Sequence, residues 1–117
     1  MRKLVIYTLL FFCQVIMAQS ASEAEYLFNS KQYVKAKTMY EALLKKKPND
    51  ALNNYRLARC CYELNQYEDA VKYFERSGNR YTLKDLYLGE AYFHTYRFDS
   101  SVSAYQTFIA TLTSTDE

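Results

Sequence analysis

Few residues of this 117-residue chain have the types and spacing that bond-making chemistry demands. The one histidine, His94, follows Glu90 by four positions, which on a helix is most simply a surface hydrogen bond. With no second histidine it cannot anchor zinc, whose sites need three or four ligands. Cys60 and Cys61 are neighbours. Adjacent helical side chains diverge by about 100°, so this pair cannot close a disulfide without distorting the backbone. It also lacks the spacing of a redox motif, and both thiols read as small apolar core groups. No glycine-rich loop is present, and no serine or cysteine lies in a nucleophile motif. These residues argue against an enzyme, a metal site and a bound cofactor.

Recognition is the chemistry that remains. Tyr55, Arg59 and Tyr62 stand at i, i+4 and i+7, on a helix face distinct from Leu57, Ala58, Cys61 and Leu64. Tyrosine and arginine are the types that dominate binding energy at protein interfaces. Because the chain holds 13 tyrosines, half-buried packing with a wet hydroxyl is the competing role. Nucleic acid is a poor partner. The only basic run, Lys45-Lys46-Lys47, falls where a helix should end, and cations there complement the helix dipole.

The elements that must position these residues are helices. The chain has two glycines and one proline, and it repeats itself. Tyr33-Val34-Lys35-Ala36-Lys37-Thr38-Met39-Tyr40 recurs as Tyr67-Glu68-Asp69-Ala70-Val71-Lys72-Tyr73-Phe74, and again as Phe98-Asp99-Ser100-Ser101-Val102-Ser103-Ala104-Tyr105. Ala36 precedes Ala70 by 34 residues, and Ala70 precedes Ser101 by 31. A fixed period of this size indicates stacked hairpins. Helices are expected near 22–30, 33–47, 51–64, 67–77, 82–94 and 98–112. Ser22-x-x-Glu25 and Thr82-x-x-Asp85 resemble capping boxes that would start the first and fifth.

Upstream of the second and third blocks, Leu57-Ala58 precedes Cys61, and Leu88-Gly89 precedes Tyr92. With Pro48 closing the first unit, the pattern resembles the tetratricopeptide repeat. The family's tryptophan is replaced by Asn54 and Asp85. The resemblance implies an all-α, right-handed superhelical stack of three helix-turn-helix repeats, at about 22–48, 51–81 and 82–112. It implies a concave face lined by the first helix of each repeat, with Glu25, Phe28 and Asn29 in the first. The second contributes Leu52, Tyr55, Arg59, Tyr62 and Glu63, and the third Leu83, Leu86, Glu90, Phe93 and His94. The function it implies is that of a scaffold holding a protein or peptide.

The stretch before the repeats has another purpose. Arg2 and Lys3 precede a 13-residue apolar run, Leu4 to Ile16, and then Met17-Ala18-Gln19-Ser20. That is the form of a secretory signal, and the run is short for a membrane span, which takes roughly 20 residues. Residues 1–18 are expected to leave, with cleavage after Ala18 or at nearby Ser20 or Ala21. A domain of residues 19–117 would remain without a stable span, in the periplasm or at the outer membrane. Its 13 basic residues (15 minus Arg2 and Lys3) then balance its 13 acids. At the far end, Val102, Tyr105, Ile109 and Leu112 form a stripe at spacings of three, four and three, ahead of Thr113-Ser114-Thr115-Asp116-Glu117. This edge is expected to be covered by more chain, a partner or a second copy.

Overall fold

Six helices follow one another in the computed structural model, which describes residues 1–114, Met17 by its backbone alone. They are α1 (Arg2–Asn29), α2 (Tyr33–Lys46), α3 (Ala51–Glu63), α4 (Tyr67–Arg76), α5 (Lys84–His94) and α6 (Phe98–Ser114). Each packs against its neighbours in sequence, and α3 also touches α5. The result is three hairpins, α1–α2, α3–α4 and α5–α6, stacked in a row. The residues Thr115, Asp116 and Glu117 of the expected polar tail lie outside the described residues.

The turn within each hairpin is built the same way. The Lys31, Asn65 and Tyr96 backbones adopt left-handed φ of 60°, 59° and 61°. After α1, the Gln32 N–H donates to the Leu27 carbonyl at 2.9 Å, and the Lys31 N–H to that of Phe28 at 3.0 Å. This 6→1, 5→2 pair satisfies carbonyls that the helix end would otherwise orphan. The same pair recurs after α3 (Gln66 to Cys61, Asn65 to Tyr62) and after α5 (Arg97 to Tyr92, Tyr96 to Phe93). The spacings of 34 and 31 are thus periods of backbone geometry as well as of side chains.

Small residues lie where the helices cross. Ala24, Ala36, Ala58 and Ala70 are fully buried. In the third hairpin the Ser101 hydroxyl donates to the Gly89 carbonyl at 2.7 Å. A Cβ on Gly89 would come within 2.9 Å of the Tyr105 ring, so glycine is what lets that ring lie flat on α5. Leu43, Leu57, Val71, Phe74 and Leu88 fill the space between hairpins. Cys60 and Cys61 are buried there as free thiols. Burial pushes the Cys60 thiol up to about 12 and that of Cys61 up to about 11.

The expected helix starts need correction at two places. Ser22 does not open the first helix, because α1 runs unbroken from Arg2 to Asn29 and Ser22 lies exposed in its middle. Gln19-Ser20-Ala21-Ser22 contains no glycine or proline, and extending a formed helix through such residues is easier than ending it. The expected boundary after Ala18 therefore falls inside one helix. Thr82 does not cap α5 either, for Leu83 occupies the N-cap position with no side-chain hydrogen bond. The loop is instead strapped by the buried Lys84 ammonium, 2.9 Å from Asn79 Oδ1. A side-chain N-cap is present at Asp50, which accepts from the Asn53 N–H at 2.8 Å. Asn54, at the place of the family's tryptophan, is fully buried. Its amide donates to the Pro48 and Asp50 carbonyls at 3.0 and 2.9 Å, tying down the loop between hairpins.

The apolar first half of α1 stands outside the stack. Leu4, Phe11, Phe12 and Ile16 are all exposed, and the first buried residue along α1, among those described, is Ala24. The radius of gyration, 17.3 Å, exceeds the roughly 13 Å of a compact domain of this size. α1 is also, by length and composition, long and apolar enough to cross a membrane.

Candidate protein-binding face

The first helices of the hairpins, α1, α3 and α5, lie side by side and share a face. Its centre is Arg59. The guanidinium carbon is 3.9 Å from the Tyr87 ring centroid and 5.8 Å from that of Phe28, and Nη2 donates to Glu63 at 3.2 Å. Arg56, one turn earlier, covers Phe28 at 4.7 Å and lies 3.9 Å from the Glu25 carboxylate. Cationic heads over aromatic faces keep their charge while covering apolar surface, so this face is aromatic yet wettable.

Towards the hairpin turns, the Tyr62 hydroxyl donates to Glu90 Oε2 at 2.5 Å, crossing from α3 to α5. Burial, and then acceptance by Glu90, push this hydroxyl well above the ordinary tyrosine range. Glu90 also lies 3.9 Å from His94 Nε2. The His94 ring stacks on Tyr67 at 4.2 Å with an 11° interplanar angle, and Tyr62 meets Tyr67 and Tyr87 edge-on. Tyr62, Glu90 and His94 therefore form one hydrogen-bonded and stacked group.

The expected site residues divide by how far they are already engaged. Tyr55 is apart from Tyr62: it stacks on Tyr81 at 4.3 Å and meets Phe74 edge-on at 6.0 Å, near the loop between the second and third hairpins. Tyr55, Arg59, Tyr62, Leu86 and Glu90 are partly buried, whereas Leu52, Glu63, Phe93 and His94 are exposed. Phe93 is 54% exposed and touches Phe98 edge-on at 5.7 Å. At the far edge, Val102, Ile109 and Leu112 are exposed and Tyr105 is partly buried by its contact with Gly89.

Sequence reasoning missed Tyr87, Tyr81 and Arg56. One signal was available, since Arg56 and Tyr87 occupy the same register, 31 residues apart, one turn before Arg59 and Glu90. The ring-on-guanidinium contact pairs a residue of one repeat with a residue of the next, which helical spacing within a repeat does not reveal. The described residues hold no group of three or more His, Cys, Asp and Glu side chains suited to a metal ion.

Comparison with known proteins agrees with this architecture. The family described as Tetratricopeptide repeat matches residues 27–83. The fold is similar to the crystal structure of the C-terminal part of a TPR repeat-containing protein from Cytophaga hutchinsonii. The TM-score is 0.70 and the identity 25%, over 76% of this chain and 37% of that one. This chain thus spans little more than a third of the crystallised part of its relative. No curated protein matches it.

Proposed function

This chain is a tetratricopeptide-repeat protein, and on that premise we propose that it is a scaffold of the bacterial cell envelope, holding a peptide or partner domain on the face of α1, α3 and α5. Stacks of this kind generally mediate protein–protein interaction through such extended faces. The observation that carries the reading is Phe93. It is exposed on the shared face beside His94 and the Tyr62–Glu90 bond, and it contributes nothing to the core. Aromatic anchors beside hydrogen-bonding groups are what interface hot spots are made of. No catalysis is proposed.

The envelope assignment rests on Arg2 and Lys3 followed by the exposed apolar half of α1, the signature of an export signal processed near Ala18. The test is a fluorescence-anisotropy screen of peptides from envelope proteins against the chain. Phe93→Ala should weaken the binders by tenfold or more while leaving the melting temperature within a degree or two, roughly the shift of a neutral surface change. Binding that survives Phe93→Ala unchanged would move the site elsewhere.

A second reading, docking through the edge as part of a larger envelope assembly, is favoured by Val102 and Ile109, 55% and 58% exposed on α6. Exposed apolar stripes on repeat ends mark such contacts.

A further inference from the structure

We propose that the end of the stack from which the first half of α1 projects is a membrane-facing surface, where Lys45, Lys46, Lys47 and Arg80 meet the headgroups of an anionic bilayer. The proposal rests on the export reading in bringing α1 to a bilayer, and it concerns the chain before processing near Ala18, while α1 still carries its apolar half.

Two independent observations converge on this end. The first is the path of α1. It is one helix, and its 18-residue apolar stretch, with mean hydropathy 1.8, is unburied by the rest of the protein. Because α1 and α2 are antiparallel, Ser20 and Lys46 line the same small pocket. The apolar run therefore stops within about one turn of the level of Lys46. The three hairpin turns, at Lys31, Asn65 and Tyr96, lie at the opposite end. The loops 47–50 and 77–83 lie at the same end as the projecting helix. Lys45 and Arg76 also share a pocket there, beside Pro48.

The second observation is charge. Lys45, Lys46, Lys47 and Arg80 are exposed, and none of them forms an ion pair among the described residues. Of the acids near this end, Glu41 lies 4.0 Å from Lys37 and Glu23 is exposed, with no ion pair among the described residues. Asp50 caps α3, Asp85 lies 3.9 Å from Lys84, and Glu75 accepts from the Tyr92 hydroxyl. Complementing the α2 dipole accounts for Lys45 and Lys46 in its last turn. It does not account for Arg80, four residues beyond the end of α4.

The helix length strengthens the case. The 18-residue apolar stretch rises about 27 Å, a little less than the roughly 30 Å hydrocarbon core. A short span is accommodated by drawing its flanks toward the bilayer, which presses this end of the stack against the headgroups. Each lysine near an anionic surface contributes roughly fivefold to partitioning, so four cations fix which end faces the lipid.

The test uses the full chain with Cys13→Ser, incorporated into nanodiscs of phosphatidylcholine alone or mixed with phosphatidylglycerol. A fluorophore is attached at Asn49→Cys or, in a separate sample, at Lys31→Cys, and the discs carry a headgroup-linked quencher. The proposal expects strong quenching at residue 49 and weak quenching at residue 31. Quenching at residue 49 should be greater in the anionic discs, and should fall at least twofold when Lys45, Lys46, Lys47 and Arg80 become glutamine. Replacing the three lysines by arginine should preserve it, which separates charge from any loss of folding. Incorporation with equal quenching at both positions, or quenching at residue 49 that ignores both lipid charge and the glutamine variant, overturns the proposal and leaves the export reading standing. Failure to incorporate into either disc overturns the proposal as well, whereas the export reading falls only if N-terminal sequencing of the exported protein finds Met1 retained.

Discussion

Val71 and Val102 occupy the same place in successive repeats and meet opposite fates. Val71, on α4, is 2% exposed because α5 covers it, whereas Val102, on α6, is 55% exposed. Their neighbours follow suit. Phe74 is fully buried, with Tyr55 edge-on and Tyr87 stacked at 6.3 Å. Its counterpart Tyr105 lies on the Gly89 side of α5 and is only partly buried. Tyr67 stacks on His94 of the next hairpin, while its counterpart Phe98 has, among the described residues, ring contacts only with Phe93 and Tyr96 of its own. Residue type does not decide burial here; the next hairpin does, as expected of a stack in which each unit contacts only its neighbours.

The largest test of this contrast is truncation of the two aromatics. Phe74→Ala should cost about 3–5 kcal/mol, the usual range for a fully buried phenylalanine. Tyr105→Ala should cost well under half of that, as its ring is partly wet already. Urea denaturation of each variant gives the comparison, and equal midpoints would break it.

Overpacking comes next. Ala70→Leu inserts a large side chain into the closed α3–α4 crossing and should cost about 1–3 kcal/mol. Gly89→Ala brings a methyl to 2.9 Å from the Tyr105 ring, yet that ring can swing toward solvent. Its cost should therefore fall at or below about 1 kcal/mol, the lower end of the same range. Thermal melts that rank the two the other way would mean that the α6 face is more tightly held than its exposure implies.

Reactivity of the thiols sharpens the same distinction without mutation. Cys60 and Cys61 are fully buried with thiols pushed up to about 12 and 11, so at pH 8 they are protonated and screened. Cys13 is exposed on α1. Iodoacetamide at pH 8 should modify one cysteine per native unprocessed chain and three after denaturation. Modification of Cys60 or Cys61 at the rate of Cys13 would reveal opening of the α2–α3 joint.

How much of this was legible beforehand follows from which interactions are local. The hairpins and their register could be read because Ala36, Ala70 and Ser101 carry the period within single helices. The turns could be placed, but their left-handed residues could not, since Lys31 and Tyr96 are not the glycine or asparagine that such positions favour. The start of α1 was misread because Ser22 and Glu25 satisfy a capping pattern that only a broken helix can use. On the shared face, the i, i+4, i+7 line of Tyr55, Arg59 and Tyr62 was visible. What was not visible is that Tyr55 turns to Phe74 of its partner helix and Tyr81 of the following loop while Tyr62 turns to Glu90 of the next repeat, because none of those partners lies on α3 itself. Alanine at Tyr55 and Tyr62 should therefore lower stability as well as any binding, and Tyr55 more, since its ring packs on the buried Phe74.

The smallest expected effect on stability lies at Val102 and Ile109. Both project from α6, which carries no charged residue from Ser100 through Ser114. Aspartate at both positions removes apolar groups that are already half in water, so the unfolding free energy of the isolated chain should change by no more than about 0.5 kcal/mol. The effect should appear in association instead. An uncharged apolar stripe at the end of a stack is open to a further hairpin, a partner or a second copy, and two aspartates make any of these pay desolvation for a buried, unpaired charge. Sedimentation velocity in detergent over a range of concentrations should show association of the original chain and its loss in the double variant, together with reduced binding of a hydrophobic dye. Val102→Asp with Ile109→Asp that unfolds the chain would place the stripe in the core of α5 and α6. The contrast with Val71 would then be one of degree rather than of kind.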